Sequence, residues 1–165
     1  NKAEKLTVVF SFINPFYKAW ADNSLIPGIS SVSKELHEAL TTGERLGLDM
    51  HVPDICGIPL CFLKKYERFA DKFDQIQNQA KFIPHPEKRK PPVCSRCVWS
   101  AQCDGLWERY IKLYGDDEVS PVREYPDGFD KSILTSRRDK DDTNTKITRT
   151  RDTALIIGQK CTNNF

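Results

Sequence analysis

Six cysteines, at positions 56, 61, 94, 97, 103 and 161, are the residues whose type and spacing could do chemistry in this 165-residue chain. Cys94, Cys97 and Cys103 form C-x2-C-x5-C between Pro91-Pro92 and Gly105. A C-x2-C turn brings two thiolates onto one centre, because the backbone between them can aim its amides at the sulfurs. A third cysteine within ten residues strengthens that metal-binding signal. No secretory h-region opens the sequence, and in a reducing compartment clustered thiols bind metal more often than they pair. Three thiolates leave a zinc ion or an iron–sulfur cluster one ligand short. Cys61, in Ile58-Pro59-Leu60-Cys61, is the leading candidate for the fourth, and Cys56, five residues upstream, is its competitor. Cys161 lies in a polar tail with nothing around it to fix a ligand.

Structural zinc usually takes two cysteine or histidine knuckles, and the second knuckle is missing here. His85 could complete a Cys3His zinc set, yet Ile83-Pro84-His85-Pro86 reads as a solvated, proline-rich loop. Iron–sulfur clusters accept a tight trio plus one remote cysteine. The spacing therefore ranks an iron–sulfur cluster first, structural zinc second and unliganded buried cysteines last. Other chemistry finds no support. His37, His51 and His85 stand in no recognisable nucleophile setting, and no Gly-rich phosphate loop is present.

These ligands need a scaffold, and the apolar pattern predicts one. Thr7 to Ile13 is a near-continuous β-rich run stopped by Asn14-Pro15, suited to a strand covered on both faces. A helix is predicted from about Ser33 to Leu46, with Ser31 or Ser33 as its cap and Gly47 in the left-handed position after it. A short strand over residues 48–52 follows, giving a βαβ unit. Tyr66, Phe69, Ala70, Phe73, Ile76 and Ala80 recur at helical spacing as a core-facing stripe. Residues 83–93 read as an extended connector. A second helix is predicted from about Gly105 to Tyr114, capped by Asp104 and ended by Gly115. Beyond about residue 130 the composition predicts disorder, apart from the apolar island Ala154 to Ile157.

Charge excludes some classes of partner. Lys and Arg number 25 against 23 Asp and Glu, so the balance argues against nucleic-acid binding built on charge alone. Residues 131–165 carry eight basic and four acidic side chains, a local excess of +4. No stretch approaches the roughly 20 apolar residues of a membrane span, and the expected compartment is the cytoplasm. The chain starts at Asn1 with a strand almost at once, which is expected of a piece cut from something longer.

Residues 48–122 resemble the end of a radical S-adenosylmethionine enzyme. Gly57-Ile58-Pro59-Leu60-Cys61 is similar to the segment that leaves the barrel in that family. Cys94-Ser-Arg-Cys97-Val-Trp-Ser-Ala-Gln-Cys103-Asp-Gly105 is similar to the C-x2-C-x5-C-x-G of SPASM and twitch auxiliary-cluster domains. Tyr110 to Pro121 (YIKLYGDDEVSP) resembles the stretch that closes those domains. Trp107 stands where a SPASM domain has its next cysteine, so a single twitch-like cluster fits better than two. The resemblance implies an α/β fold: a C-terminal slice of a partial TIM-type barrel over residues 1–60, an auxiliary-cluster domain over 61–122 and a disordered tail over 123–165. It implies a [4Fe–4S] cluster on Cys61, Cys94, Cys97 and Cys103, with the cysteine of "IPLC" as the remote ligand. The catalytic [4Fe–4S] cluster and S-adenosylmethionine would belong to the full-length protein, which would generate a 5′-deoxyadenosyl radical to modify a small-molecule, peptide or protein substrate. The C-x3-C-x2-C triplet of that catalytic cluster is absent here, so the fragment alone is expected to be inactive. The alternative is a zinc-stapled protein- or RNA-binding module, with Trp99 and Trp107 as its aromatic contacts.

Overall fold

The computed structural model describes residues 6–56 and 58–135. Cys161 and the 154–157 island lie outside the described residues.

β1 (Thr7–Val9) and β2 (Asp49–His51) form a parallel pair in the register Thr7↔Asp49, Val8↔Met50 and Val9↔His51. The ladder is shorter than the predicted strand. Past Val9 the chain keeps contact through the Phe10 amide to the His51 carbonyl at 2.8 Å and the Phe12 amide to the Cys56 carbonyl at 2.5 Å. Pro53 cannot donate to a ladder and marks the end of β2.

The crossover holds α1 (Tyr17–Ala21) and α2 (Ile29–Arg45). α2 begins four residues before the predicted start, with Gly28 as its cap and no side-chain cap bond. Ser31 and Ser33 do not cap it: their hydroxyls donate back to the carbonyls of Gly28 and Ile29. The first free amide of the helix, on Ile29, donates instead to the Tyr110 hydroxyl at 2.7 Å, a partner 81 residues away. At the other end Gly47 takes φ +66°, as expected of the residue after a helix. Leu40 is fully buried. Gly43 lies against Met50, and a Cβ there would overlap the Met50 sulfur, so the glycine lets α2 lie close on β2.

The apolar stripe from Tyr66 onward folds as two pieces. A 3-10 turn covers Glu67–Phe69, Ala70 is extended, and α3 covers Asp71–Gln77. The break has a tertiary cause: Val52 bridges Ala70, with its amide on the Phe69 carbonyl and its carbonyl accepting from Asp71. Ala70, Phe73 and Ile76 nevertheless keep the core-facing positions that the spacing predicts.

β3 (Lys88–Arg89) and β4 (Leu106–Trp107) pair antiparallel, and α4 (Glu108–Tyr114) follows directly. The pairing delays the helix to Glu108, so Asp104 does not cap it. Gly115, at φ +73°, ends α4 as expected. α5 (Ser132–Thr135) packs toward α3. Tyr125 and Phe129, placed in the expected disordered tail over 123–165, instead meet the Trp99 ring at centroid distances of 4.8 and 5.0 Å.

One hydrophobic cluster runs from Ile29, Leu40 and Met50 to Trp99, Leu106 and Tyr110. The protein is a mixed α/β structure with a small parallel sheet. Among the described residues no helix is long and apolar enough to cross a membrane.

Candidate metal centre

Cys61 sits in a 3-10 turn, Leu60–Phe62, entered from Pro59 in an extended conformation at φ −61° and ψ 151°. Proline's fixed φ and missing amide set the direction in which the chain leaves the β2 region. Cys94 lies in a second 3-10 segment, Pro92–Arg96, which is opened by prolines and closed by Cys97. The Cys97 amide donates to the Cys94 carbonyl at 3.0 Å, and the Ser100 amide donates to Cys97 in turn, so the trio is carried on successive tight turns. Cys103 ends this run. Its sulfur accepts the Gly105 amide at 3.3 Å. Gly105 has φ +85° and faces the backbone of Arg89 so closely that a Cβ would overlap the Arg89 carbonyl. Only glycine allows both the left-handed turn and the approach of β3.

The four free thiols among the described residues line one tight cavity of about 20 Å³, whose walls are otherwise mostly apolar: Pro59, Leu60, Pro91, Trp99, Leu106 and Val119. Trp99 is 1% exposed. Burial pushes the Cys61 thiol far above its ordinary range, and the charges of Cys103, Cys97 and Cys94 push it further. Cys94 is pushed up to about 11, first by burial and then by Cys103 and Cys97. Burial raises Cys103 as well, opposed by the Gly105 amide bond. With the proton affinities of Cys61, Cys94 and Cys103 raised in an apolar pocket, a cation would be strongly favoured over bare thiolates at this site.

The spacing bears on which cation. A tetrahedral zinc with Zn–S bonds of about 2.3 Å holds its sulfurs about 3.8 Å apart. Among the described residues, the group of three or more ligand atoms lying within 4.8 Å of one another is His51, Asp71 and Asp74, not the cysteines. The four thiols share one cavity, but they do not form a group whose ligand atoms all lie within 4.8 Å of one another.

Cys56 does not line this cavity. It is buried, is not among the free thiols, and lies 3.8 Å from the Asn14 side-chain nitrogen. His85 also stays apart. Its ring packs on Trp107 with centroids 4.6 Å apart, and its amide donates to Asp104, so it is not the freely solvated loop residue that the prolines suggest. Trp99 and Trp107 are both buried, which removes them as exposed contacts of a binding module.

Two groups escape the linear reading. Asp104 meets Lys72 and Lys88 rather than capping α4, and Asp54 joins them. The His51 ring lies 3.3 Å from Asp71 and 3.6 Å from Asp49 on a half-exposed face. Apart from Asp49 and His51, two residues apart on β2, the partners are distant in sequence and are brought together by the tertiary packing. The Tyr110, Tyr114 and Glu118 motif is a clasp. Tyr110 donates to Glu118 while accepting from Ile29, and Tyr114 donates to the Ile26 carbonyl. It ties the turn before α2 to the cysteine-bearing half. Comparison of the chain with protein-family models, curated proteins and solved structures finds no match.

Proposed function

We propose that this chain is the C-terminal part of a radical S-adenosylmethionine enzyme, holding one auxiliary [4Fe–4S] cluster on Cys61, Cys94, Cys97 and Cys103. The observation that carries the reading is the single cavity ringed by these four thiols, which come from two segments more than 30 residues apart. The parallel β1–α2–β2 unit supports the slice of a TIM-type barrel, with Cys61 on the chain that leaves the carboxyl end of β2, the end where such barrels place their chemistry. When bound, the cluster supplies one-electron chemistry. The protein's own part is to hold the sulfurs on rigid turns, to exclude water with Pro59, Leu60 and Trp99, and to donate the Gly105 amide to Cys103. Four thiolate ligands leave no open iron position, which favours electron passage over substrate anchoring. Cleavage of S-adenosylmethionine would need the triplet that this sequence lacks.

Anaerobic reconstitution with ferrous iron and sulfide tests the reading. A brown protein with about four irons and four sulfides per chain is expected, together with no 5′-deoxyadenosine when dithionite and S-adenosylmethionine are added. A colourless protein that retains one zinc and excludes iron would replace this reading with the zinc-stapled module.

A further inference from the structure

We propose that the buried ion network of Lys72, Lys88, Asp54 and Asp104 sets the reduction potential of the metal centre, an inference that rests on the iron–sulfur reading above. The four groups converge from separate parts of the chain: Asp54 from the loop after β2, Lys72 from α3, Lys88 from β3 and Asp104 from beside Cys103. The Lys72 ammonium lies 2.9 Å from Asp54 and 3.8 Å from Asp104. The Lys88 ammonium lies 4.0 Å from Asp104 and donates to the Asp54 carbonyl at 3.1 Å. The side chains of Lys88 and Asp104 are only 8% and 7% exposed. With Cys103 they line a second cavity that shares Pro59, Leu60, Cys103 and Gly105 with the first, so the charges sit against the wall of the cysteine site.

Taking charges out of water is costly, and buried ion pairs are weak stabilisers because their attraction barely repays desolvation. The same low dielectric extends the reach of each charge, so a fixed charge here acts on the neighbouring centre more strongly than it would on the surface. A cluster held by four thiolates is anionic and becomes more so when it takes an electron. A nearby ammonium favours the reduced form and a nearby carboxylate the oxidised form. These are positioning residues: they touch no ligand metal and act through the field at Cys103. Removing one sign of charge must shift the potential one way and removing the other sign must shift it the opposite way, whereas a purely structural network would lower cluster content in both cases.

The test uses the whole 165-residue chain, reconstituted anaerobically with iron and sulfide. Dithionite donates one electron to the oxidised cluster, and the reduced form is followed by electron paramagnetic resonance against solution potential. Lys88→Met is expected to lower the midpoint, Asp104→Asn to raise it, and the double variant to return toward wild type, all at unchanged iron content. Lys72→Met, on a helix that carries no ligand, should move with Lys88→Met and carries the test if the Asp104 variant does not fold. Midpoints that stay put, or move the same way in lysine and aspartate variants, overturn the inference and leave the cluster standing. A wild-type chain that forms no cluster overturns both.

Discussion

α2 runs for 17 residues against a parallel strand pair, whereas between Leu60 and Leu106 the longest helix is the 7-residue α3 and both cysteine segments are 3-10 turns. The first region satisfies its backbone with regular ladders and buries one face at helical period. The second has a two-residue strand pair and several prolines, and much of its order comes from side-chain clasps and from the shared core. A region with so few ladder bonds has low local stability unless something cross-links it. The contrast teaches where a metal would matter most: it would staple the region that the backbone alone holds least.

The sharpest way to break this contrast is to remove the remote thiol. Cys61→Ala should lose most of the bound iron, and hydrogen exchange should then speed up across residues 92–107 while α2 stays protected. Cys56→Ala should keep its iron, because that sulfur lies outside the cavity. The reverse pattern would undo the ligand assignment.

A core substitution asks whether the two regions fold as one. Leu40 on α2 is fully buried in the cluster that also contains Trp99 and Leu106. Leu40→Ala should cost about 2–5 kcal/mol. Urea unfolding followed both by far-ultraviolet dichroism and, in a Trp20→Phe background, by the emission of Trp99 and Trp107 should shift in a single step. Two separated transitions would show that the cysteine region stands alone.

Cutting the clasp is expected to cost less. Tyr110→Phe leaves the Ile29 amide without its acceptor and removes the donor to Glu118. A loss of about 1–3 kcal/mol is expected for buried partners left unsatisfied. The first turn of α2 should fray in amide exchange, and iron content should be unchanged.

The smallest effect concerns pH. Glu67 is buried, and desolvation raises its carboxyl above the ordinary 4.5. The folded protein then binds more protons than the unfolded chain between the two values, so stability falls as pH rises through that window. Glu67→Gln lacks the group and should lack the slope. Thermal unfolding of both proteins from about pH 4 to about pH 7 should show the wild type losing ground to the variant; parallel curves would place the carboxylate in water.

Much of this organisation is legible in the residue pattern. Helix ends are an instructive case. Gly47 and Gly115 are readable because a glycine after an apolar helical stripe can enter the left-handed region without a Cβ clash, and both do. The starts were not readable in the same way. Ser31, Ser33 and Asp104 all have the chemistry of a cap, but Tyr110 reaches Ile29 first, and β4 pairs with β3 where Asp104 would have started a helix. The stripe through Phe69 and Phe73 shows the same limit. Its burial follows from spacing, and its break at Ala70 follows from Val52, a strand residue that no local pattern connects to it.

What the sequence by itself determined is therefore what depends on covalent neighbours: the C-x2-C-x5-C turns, the proline exits, the glycine stops, and the parallel strand–helix–strand unit with its apolar faces. What only the tertiary structure decided is what depends on residues distant in the chain. It brought Cys61 to the trio and left Cys56 outside, turned His85 onto Trp107, and gathered Lys72, Lys88, Asp54 and Asp104 beside Cys103. Local conformation follows from sterics and hydrogen bonds within a few residues. The meeting of remote side chains follows from how helices and strands pack to bury a shared core, and a linear pattern of residue types does not specify that geometry.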